Sequence, residues 1–217
     1  MKKREFMGID EVGRSSLLGP FVIAGVRATD EIIEAWGEVG VTDSKRIKNR
    51  NKIKELSDYI KETALDYNIQ IADAEEIDRY VSERGYNNLE RDRARNIITA
   101  IGRRSCTIIL DGPNIFNKKF VDEFINTRYA FDVKSYKKAD VIYIVVGAAS
   151  IIAKHTRDQY MDKMIDRYEK EVDMKIKGRG ESCKETIKFL QAYKDKYNMF
   201  PLETRLSFKL FRNGTIF

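Results

Sequence analysis

Only one of the 217 residues is a histidine, His155, so a histidine-rich metal centre or a pair of imidazole acid–base catalysts is excluded. Cysteine is nearly as scarce. Cys106 and Cys183 lie far apart and outside any C-x-x-C pair, which argues against a structural zinc site and fits a reducing compartment. Three prolines and 13 glycines exclude a collagen-like, low-complexity or disordered chain. No apolar run approaches the roughly 18–20 residues of a membrane-spanning helix. No apolar stretch precedes the first acids either, so no secretory signal, no membrane partner and a cytoplasmic location are expected.

Charge, by contrast, is plentiful. Forty Lys and Arg against 34 Asp and Glu give a net charge of +6 and an isoelectric point near 9.1, a modest bias toward a polyanionic partner. With one histidine, the reactive groups of any enzyme here are mostly carboxylates, lysines or hydroxyls. The length suits one domain that buries its own core without disulfides.

Strand and helix signals alternate along the chain. Glu5–Ile9 and Phe21–Val26 read as buried strands joined by a Gly-rich turn. Thr42-Asp43-Ser44 reads as a helix start, after which Ile53, Leu56, Ile60 and Ala64 recur at helical spacing. Tyr67–Ala72 alternates like a strand, and Ala94, Ile97, Ile98 and Ile101 share one helical face. Cys106–Leu110, ended by Asp111-Gly112-Pro113, is the clearest strand-then-turn signal, and Tyr129–Val133 is a further candidate strand. A helix is expected from about Val141 to Glu171, apolar nearly all round in its first half, and another over Lys184–Lys196. The pattern implies an α/β core followed by a helical C-terminal portion.

Two apolar runs end directly in acids: Ile9 in Asp10-Glu11, and Leu110 in Asp111. Asp140 precedes the long apolar helix, where a helix dipole favours its ionised form. Strand ends are where α/β sheets place ligands. Carboxylates gathered there repel one another unless neutralised, and oxygen-rich clusters suit Mg²⁺ or Mn²⁺. Each acid alone can equally cap a turn. Gly13-Arg14-Ser15-Ser16 could offer backbone N–H groups to a phosphodiester or be an ordinary turn. Lys45 after Asp43-Ser44 could lie over a phosphate or follow a helix cap. Lys154, His155 and Arg157 could face a phosphate or solvent.

These residues resemble the motifs of type 2 ribonucleases H (ribonuclease HII). Gly8-Ile9-Asp10-Glu11-Val12-Gly13-Arg14 with Leu18-Gly19-Pro20 is similar to the family's opening motif. Asp43-Ser44-Lys45, Leu110-Asp111-Gly112, and Asp140 with Ala148-Ala149-Ser150-Ile151-Ile152-Ala153-Lys154 and Arg157-Asp158 follow in the family's order. Arg205-Leu206-Ser207-Phe208 resembles an element of the archaeal and eukaryotic-like branch. The resemblance implies one domain over residues 1–217, with an α/β, RNase H-like mixed sheet flanked by helices to about residue 172. A C-terminal helical region then covers about 173–217. It also implies endonucleolytic hydrolysis of RNA in RNA/DNA hybrids or ribonucleotide-containing DNA duplexes, by a monomer, leaving 5′-phosphate and 3′-hydroxyl ends. Asp10, Glu11, Asp111 and Asp140 would be the catalytic residues and hold two Mg²⁺ or Mn²⁺ ions. Gly13, Arg14, Ser15, Lys45, Lys154 and Arg157 would contact the nucleic acid without reading bases.

Two positions depart from the family pattern. Ser15 stands where a Gly-Arg-Gly motif has its second glycine, and its Cβ could obstruct close approach or an unusual φ. Gly178-Arg179-Gly180-Glu181-Ser182 stands where the family has Gly-x-Gly-Tyr-Pro, so a carboxylate replaces a stacking tyrosine. Together they predict weakened cleavage at a single embedded ribonucleotide. Two alternatives remain at this point: another nuclease of the same fold, type 3 or resolvase-like, and a nucleic-acid-binding protein without catalysis. A nucleotide-binding module lacks its glycine-rich signatures.

Overall fold

The structure, a computed structural model, describes residues 4–104, 106–125, 131–208 and 211. Its five-stranded sheet consists of β1 (Glu5–Val12), β2 (Phe21–Thr29), β3 (Asp66–Ala72), β4 (Cys106–Asp111) and β5 (Asp132–Tyr136), in the order β3-β2-β1-β4-β5. β1 runs antiparallel to β2 and parallel to β4, which is parallel to β5. All nine residues of β2 are buried, as expected of a strand covered on both faces. The helices are α1 (Asp30–Glu38), α2 (Arg50–Thr63), α3 (Ala74–Glu83), α4 (Tyr86–Ile101), α5 (Lys118–Ile125), α6 (Ala139–Ile142), α7 (Ile144–Val172) and α8 (Lys184–Tyr197).

The chain divides into two compact units. The first takes Met1–Val12, Val22–Gln70 and Glu90–His155; the second takes Gly13–Phe21, Ile71–Leu89 and Thr156–Phe217. In the first, Val22, Val26, Trp36, Ile53, Ile60, Val146, Ile151 and Ile152 belong to one buried apolar cluster. Gly8 makes that packing possible, because a Cβ there would lie 2.2 Å from the Val145 carbonyl oxygen at the start of α7. In the second unit Leu18, Met161, Met164, Tyr168, Phe189 and Leu190 form a separate core.

Several expectations change at this level. The helical portion expected from about residue 173 lies within the second unit, whose last segment starts at Thr156 and which includes two earlier segments. Side-chain bonds between residues remote in sequence hold it together: the Asp78 carboxylate on α3, for example, accepts from the Leu206 and Ser207 amides at 2.9 and 3.0 Å. The single helix expected from Val141 is broken at Tyr143, whose backbone is extended (φ −115°, ψ 115°). Thr42-Asp43-Ser44 opens only a 3-10 turn, Ser44–Arg46, and α2 starts later behind its own cap, Asn49. The fifth strand begins at Asp132; residues 129 and 130 of the expected strand lie outside the described residues.

Candidate active site

Parallel pairing sets Ile9 of β1 beside Leu110 of β4, so Asp10 and Asp111 follow side by side where the strands leave their common ladder. The Asp111 Oδ1 accepts the Ala139 amide at 2.9 Å. That bond caps the short helix α6 and brings Asp140, its second residue, to the same place. Asp10 and Asp140 are both buried, at 4% exposure. All four acids lie in the first unit.

The electrostatics follow from this crowding. Burial, then the negative charges of Asp140 and Asp111, push the Asp10 carboxyl up from 3.8 to about 7, against a hydrogen bond from Ser150 that favours the anion. Burial likewise raises Glu11, helped by the negative charges of Asp10, Glu90 and Asp111. Asp140 is raised by burial and by Asp111 and Asp43, and lowered by Lys45. The Lys45 ammonium stands 3.4 Å from Asp140 Oδ2 on an exposed side chain. Partial burial works against its charge, but Asp140, Asp10 and Asp43 outweigh that and raise its pKa.

This donor set fits a hard divalent cation. The Asp10 Oδ2 is buried with no hydrogen-bond partner, a costly state for a carboxylate oxygen unless a cation completes it. Among the described residues no three ligating side chains already close around a point. Mg²⁺ is commonly bound by one or two carboxylates plus substrate phosphate.

Sequence reasoning missed two further residues. Glu90, 1% exposed, adds to the repulsion at Glu11; it lies four residues before Ala94 on the apolar stripe of α4, where a lone acid was the available signal. Ser150 bonds Asp10 and lies 2.8 Å from Ser44 Oγ. A hydroxyl has one proton; with Ser150 donating to Asp10, Ser44 must donate to Ser150. The chain Ser44→Ser150→Asp10 thus ties the 43–45 turn to a carboxylate.

The expected nucleic-acid contacts separate. Lys45 joins the carboxylates, and Lys154 is half-buried on α7 in the same unit. Gly13, Arg14, Ser15 and Arg157 belong to the second unit. Arg14 is half-buried, 2.6 Å from Asn87 Oδ1 and over the Tyr86 ring. The expectation that Arg157 faces a phosphate or solvent is corrected. It is 4% exposed; its Nε donates to Pro20 O at 3.1 Å, and its Nη2 to Ser16 Oγ, Leu18 O and Arg179 O at 3.0–3.2 Å. It holds the 13–20 turn together. Gly13, at φ +83°, is needed there, since a Cβ would sit 2.5 Å from the Arg157 Nε. Ser15 is exposed and is not among the residues at positive φ, so only the close-approach part of the expectation for it stands. Glu181 accepts the Arg179 amide at 2.9 Å.

The chain is similar to known proteins over nearly its whole length. A family model described as Ribonuclease HII matches residues 7–211. A ribonuclease HII of Saccharolobus solfataricus is 31% identical over 207 residues, covering 95% of this chain and 92% of that protein. The crystal structure of ribonuclease H2 from Pyrococcus horikoshii superposes with a TM-score of 0.83 at 29% identity, over 96% of both chains. The ribonuclease HII chain seen in a PCNA complex from Archaeoglobus fulgidus superposes at 0.79 with 25% identity, over 94% of this chain and 95% of that one.

Proposed function

We propose that this chain, which belongs to the ribonuclease HII family and is thereby a nuclease, cuts the RNA strand of RNA/DNA hybrids endonucleolytically with Asp10, Glu11, Asp111 and Asp140 as its divalent-cation holders. The family membership sets aside the type 3 and resolvase-like alternatives. The observation that supports the reading is mutual repulsion among carboxylates beyond the paired ends of β1 and β4, of Asp10 with Asp140 and Asp111 and of Glu11 with Asp10 and Asp111, with one buried Asp10 oxygen left unpartnered.

When bound, Mg²⁺ or Mn²⁺ would supply charge stabilisation at phosphorus and a water acidic enough to attack it. The protein's own contribution is positioning. Asp111 accepts from the backbone of α6 and is thereby fixed in place. Ser150 fixes one Asp10 oxygen and leaves the other for a cation. Lys45, kept protonated by its acidic neighbours, is exposed enough to meet a non-bridging phosphate oxygen. Water oxygen would bond to phosphorus as the bond to O3′ breaks, leaving a 5′-phosphate and a 3′-hydroxyl. Ser15 and Glu181 weaken cleavage where a single ribonucleotide is embedded in DNA.

A gel assay on an end-labelled RNA/DNA hybrid tests the reading, with chelator and Asp10→Asn as controls. Cleavage that needs Mg²⁺ or Mn²⁺ and Asp10 is expected. Hybrid binding with no cleavage by either ion would mean a binding protein without catalysis.

A further inference from the structure

The segment Tyr136–Tyr143 surrounds Asp140 with surface of a different kind. Ala139 and Asp140 are buried, but Lys137 and Lys138 are exposed, and Tyr136, Val141 and Ile142 are 37%, 38% and 61% exposed. The Tyr136 and Tyr143 rings meet with centroids 5.1 Å apart at 41°. Both rings are tied to the carboxylates through backbone. Tyr136 pairs with Asp111 across the β4–β5 ladder, and its carbonyl accepts the Gly112 amide at 3.1 Å. The Tyr143 amide donates to Ala139 O at 2.8 Å, closing α6 around Asp140.

Folding alone gives little reason for this patch. An isoleucine more than half exposed beside two partly open tyrosines forgoes burial that the core could have supplied. Lys138 holds a left-handed backbone conformation (φ 58°), which is uncommon outside glycine and clusters at functional sites. Lys134 is paired with Asp132 at 2.9 Å, whereas no ion pair engages Lys137 or Lys138 among the described residues. Exposed aromatic and aliphatic side chains bordered by ammonium groups are complementary to a nucleotide, whose base is flat and uncharged and whose phosphates are anionic.

On the nuclease reading above, we infer that Tyr136, Ile142 and Tyr143, flanked by Lys137 and Lys138, form a platform that receives a nucleoside of the substrate next to the Asp111–Asp140 side of the carboxylate cluster. The platform acts on binding and leaves the chemistry to the carboxylates.

Metal-free fluorescence anisotropy with a labelled hybrid, together with cleavage kinetics, tests this. Tyr136→Ala, and Tyr136→Leu as a variant that keeps apolar bulk, should weaken affinity roughly tenfold, within the range for loss of one aromatic stack. KM should rise accordingly with kcat nearly unchanged. Lys137→Gln with Lys138→Gln should flatten the dependence of log affinity on log salt by about one to two, as loss of one or two phosphate contacts does. A hybrid carrying 5-iodouridine near the cut should photocrosslink to Tyr136 or Tyr143, located by peptide mass spectrometry.

Wild-type protein that cleaves the hybrid while every variant binds normally and no crosslink maps to these rings would overturn the platform and leave the nuclease reading intact. The reverse pattern, crosslinks at these rings without cleavage, would sink the nuclease reading and keep the platform. A dimer in sedimentation velocity that Ile142→Asn disperses, with hybrid affinity unchanged, would make the patch a self-association surface and overturn the inference.

Discussion

Buried charge serves opposite ends in two regions of this molecule. In the first unit, Asp10 and Asp140 are buried among other acids, and Asp10 keeps an oxygen with no partner. In the second, Arg157 and Arg205 are buried among backbone carbonyls. Arg157 reaches Pro20, Leu18 and Arg179. Arg205 reaches Gly19 and Gly13 at 2.9 and 2.6 Å, with only its Nη2 lacking a bond among the described residues. Burial pushes both kinds of group toward neutrality: the Asp10 carboxyl rises, and the Arg205 guanidinium falls to about 10. The difference lies in what surrounds them. Carbonyl oxygens satisfy a guanidinium, which then stitches remote segments together. Like charges cannot satisfy a carboxylate, so the acids store repulsion that a bound cation would relieve.

The sharpest way to break the contrast is Asp10→Asn. Activity on the hybrid should fall by roughly a thousandfold, at the upper end for removing one group that stabilises charge in the transition state. The metal-free protein should nevertheless melt at a higher temperature at pH 7–8, because a buried, repelled anion is gone. A loss of stability instead would show that Asp10 serves the fold. The same logic predicts a pH profile. Folded Asp10 binds its proton up to about pH 7, and an ordinary aspartate only to 3.8. The metal-free wild type should therefore lose stability as pH rises between those values and level off above them. Saturating Mg²⁺ should flatten that slope, and Asp10→Asn should remove it.

Arg157→Met tests the other side of the comparison. It strands several buried acceptors of the 13–20 turn, and urea denaturation should report a loss of about 3 kcal/mol. A variant as stable as wild type would mean that the turn holds without its clasp. Ser150→Ala sits between the two extremes. Removing the donor that orients Asp10 should weaken the Mg²⁺ midpoint about tenfold, the scale seen for groups behind metal ligands, with Ser44→Ala adding little in the double variant. Full additivity would deny the relay. The smallest effect expected is with Ser15→Gly and Glu181→Tyr together. Initial rates should shift a few-fold toward single embedded ribonucleotides relative to hybrids; an unchanged ratio would remove the reason for treating those positions as departures.

Much of this was legible along the chain. The runs Glu5–Ile9 and Cys106–Leu110, each ending in acid, announced β1, β4 and Asp10, Glu11 and Asp111, because strand ends and turn chemistry are local. The separate helix α6 was not legible, since its first amide is held by the Asp111 carboxylate 28 residues away in sequence, and the extended backbone at Tyr143 parts it from α7. Arg157 was misjudged for a related reason. A basic residue on a charged helix looks solvated until the carbonyls of Leu18 and Pro20, nearly 140 positions away, fold around it. Ser150 was in plain view inside Ala148-Ala149-Ser150, yet only the fold revealed its partners.

Residue order by itself determined which chemistry was available, a hard-oxygen site with lysines and no imidazole pair, and the alternation of elements that builds the sheet. Tertiary structure decided which charges remain reactive. Whether a buried ionic group is satisfied depends on atoms brought close in space by the parallel register of β1 and β4 and by the turns clasped in the second unit, and Coulomb energies respond to ångströms, not to sequence intervals.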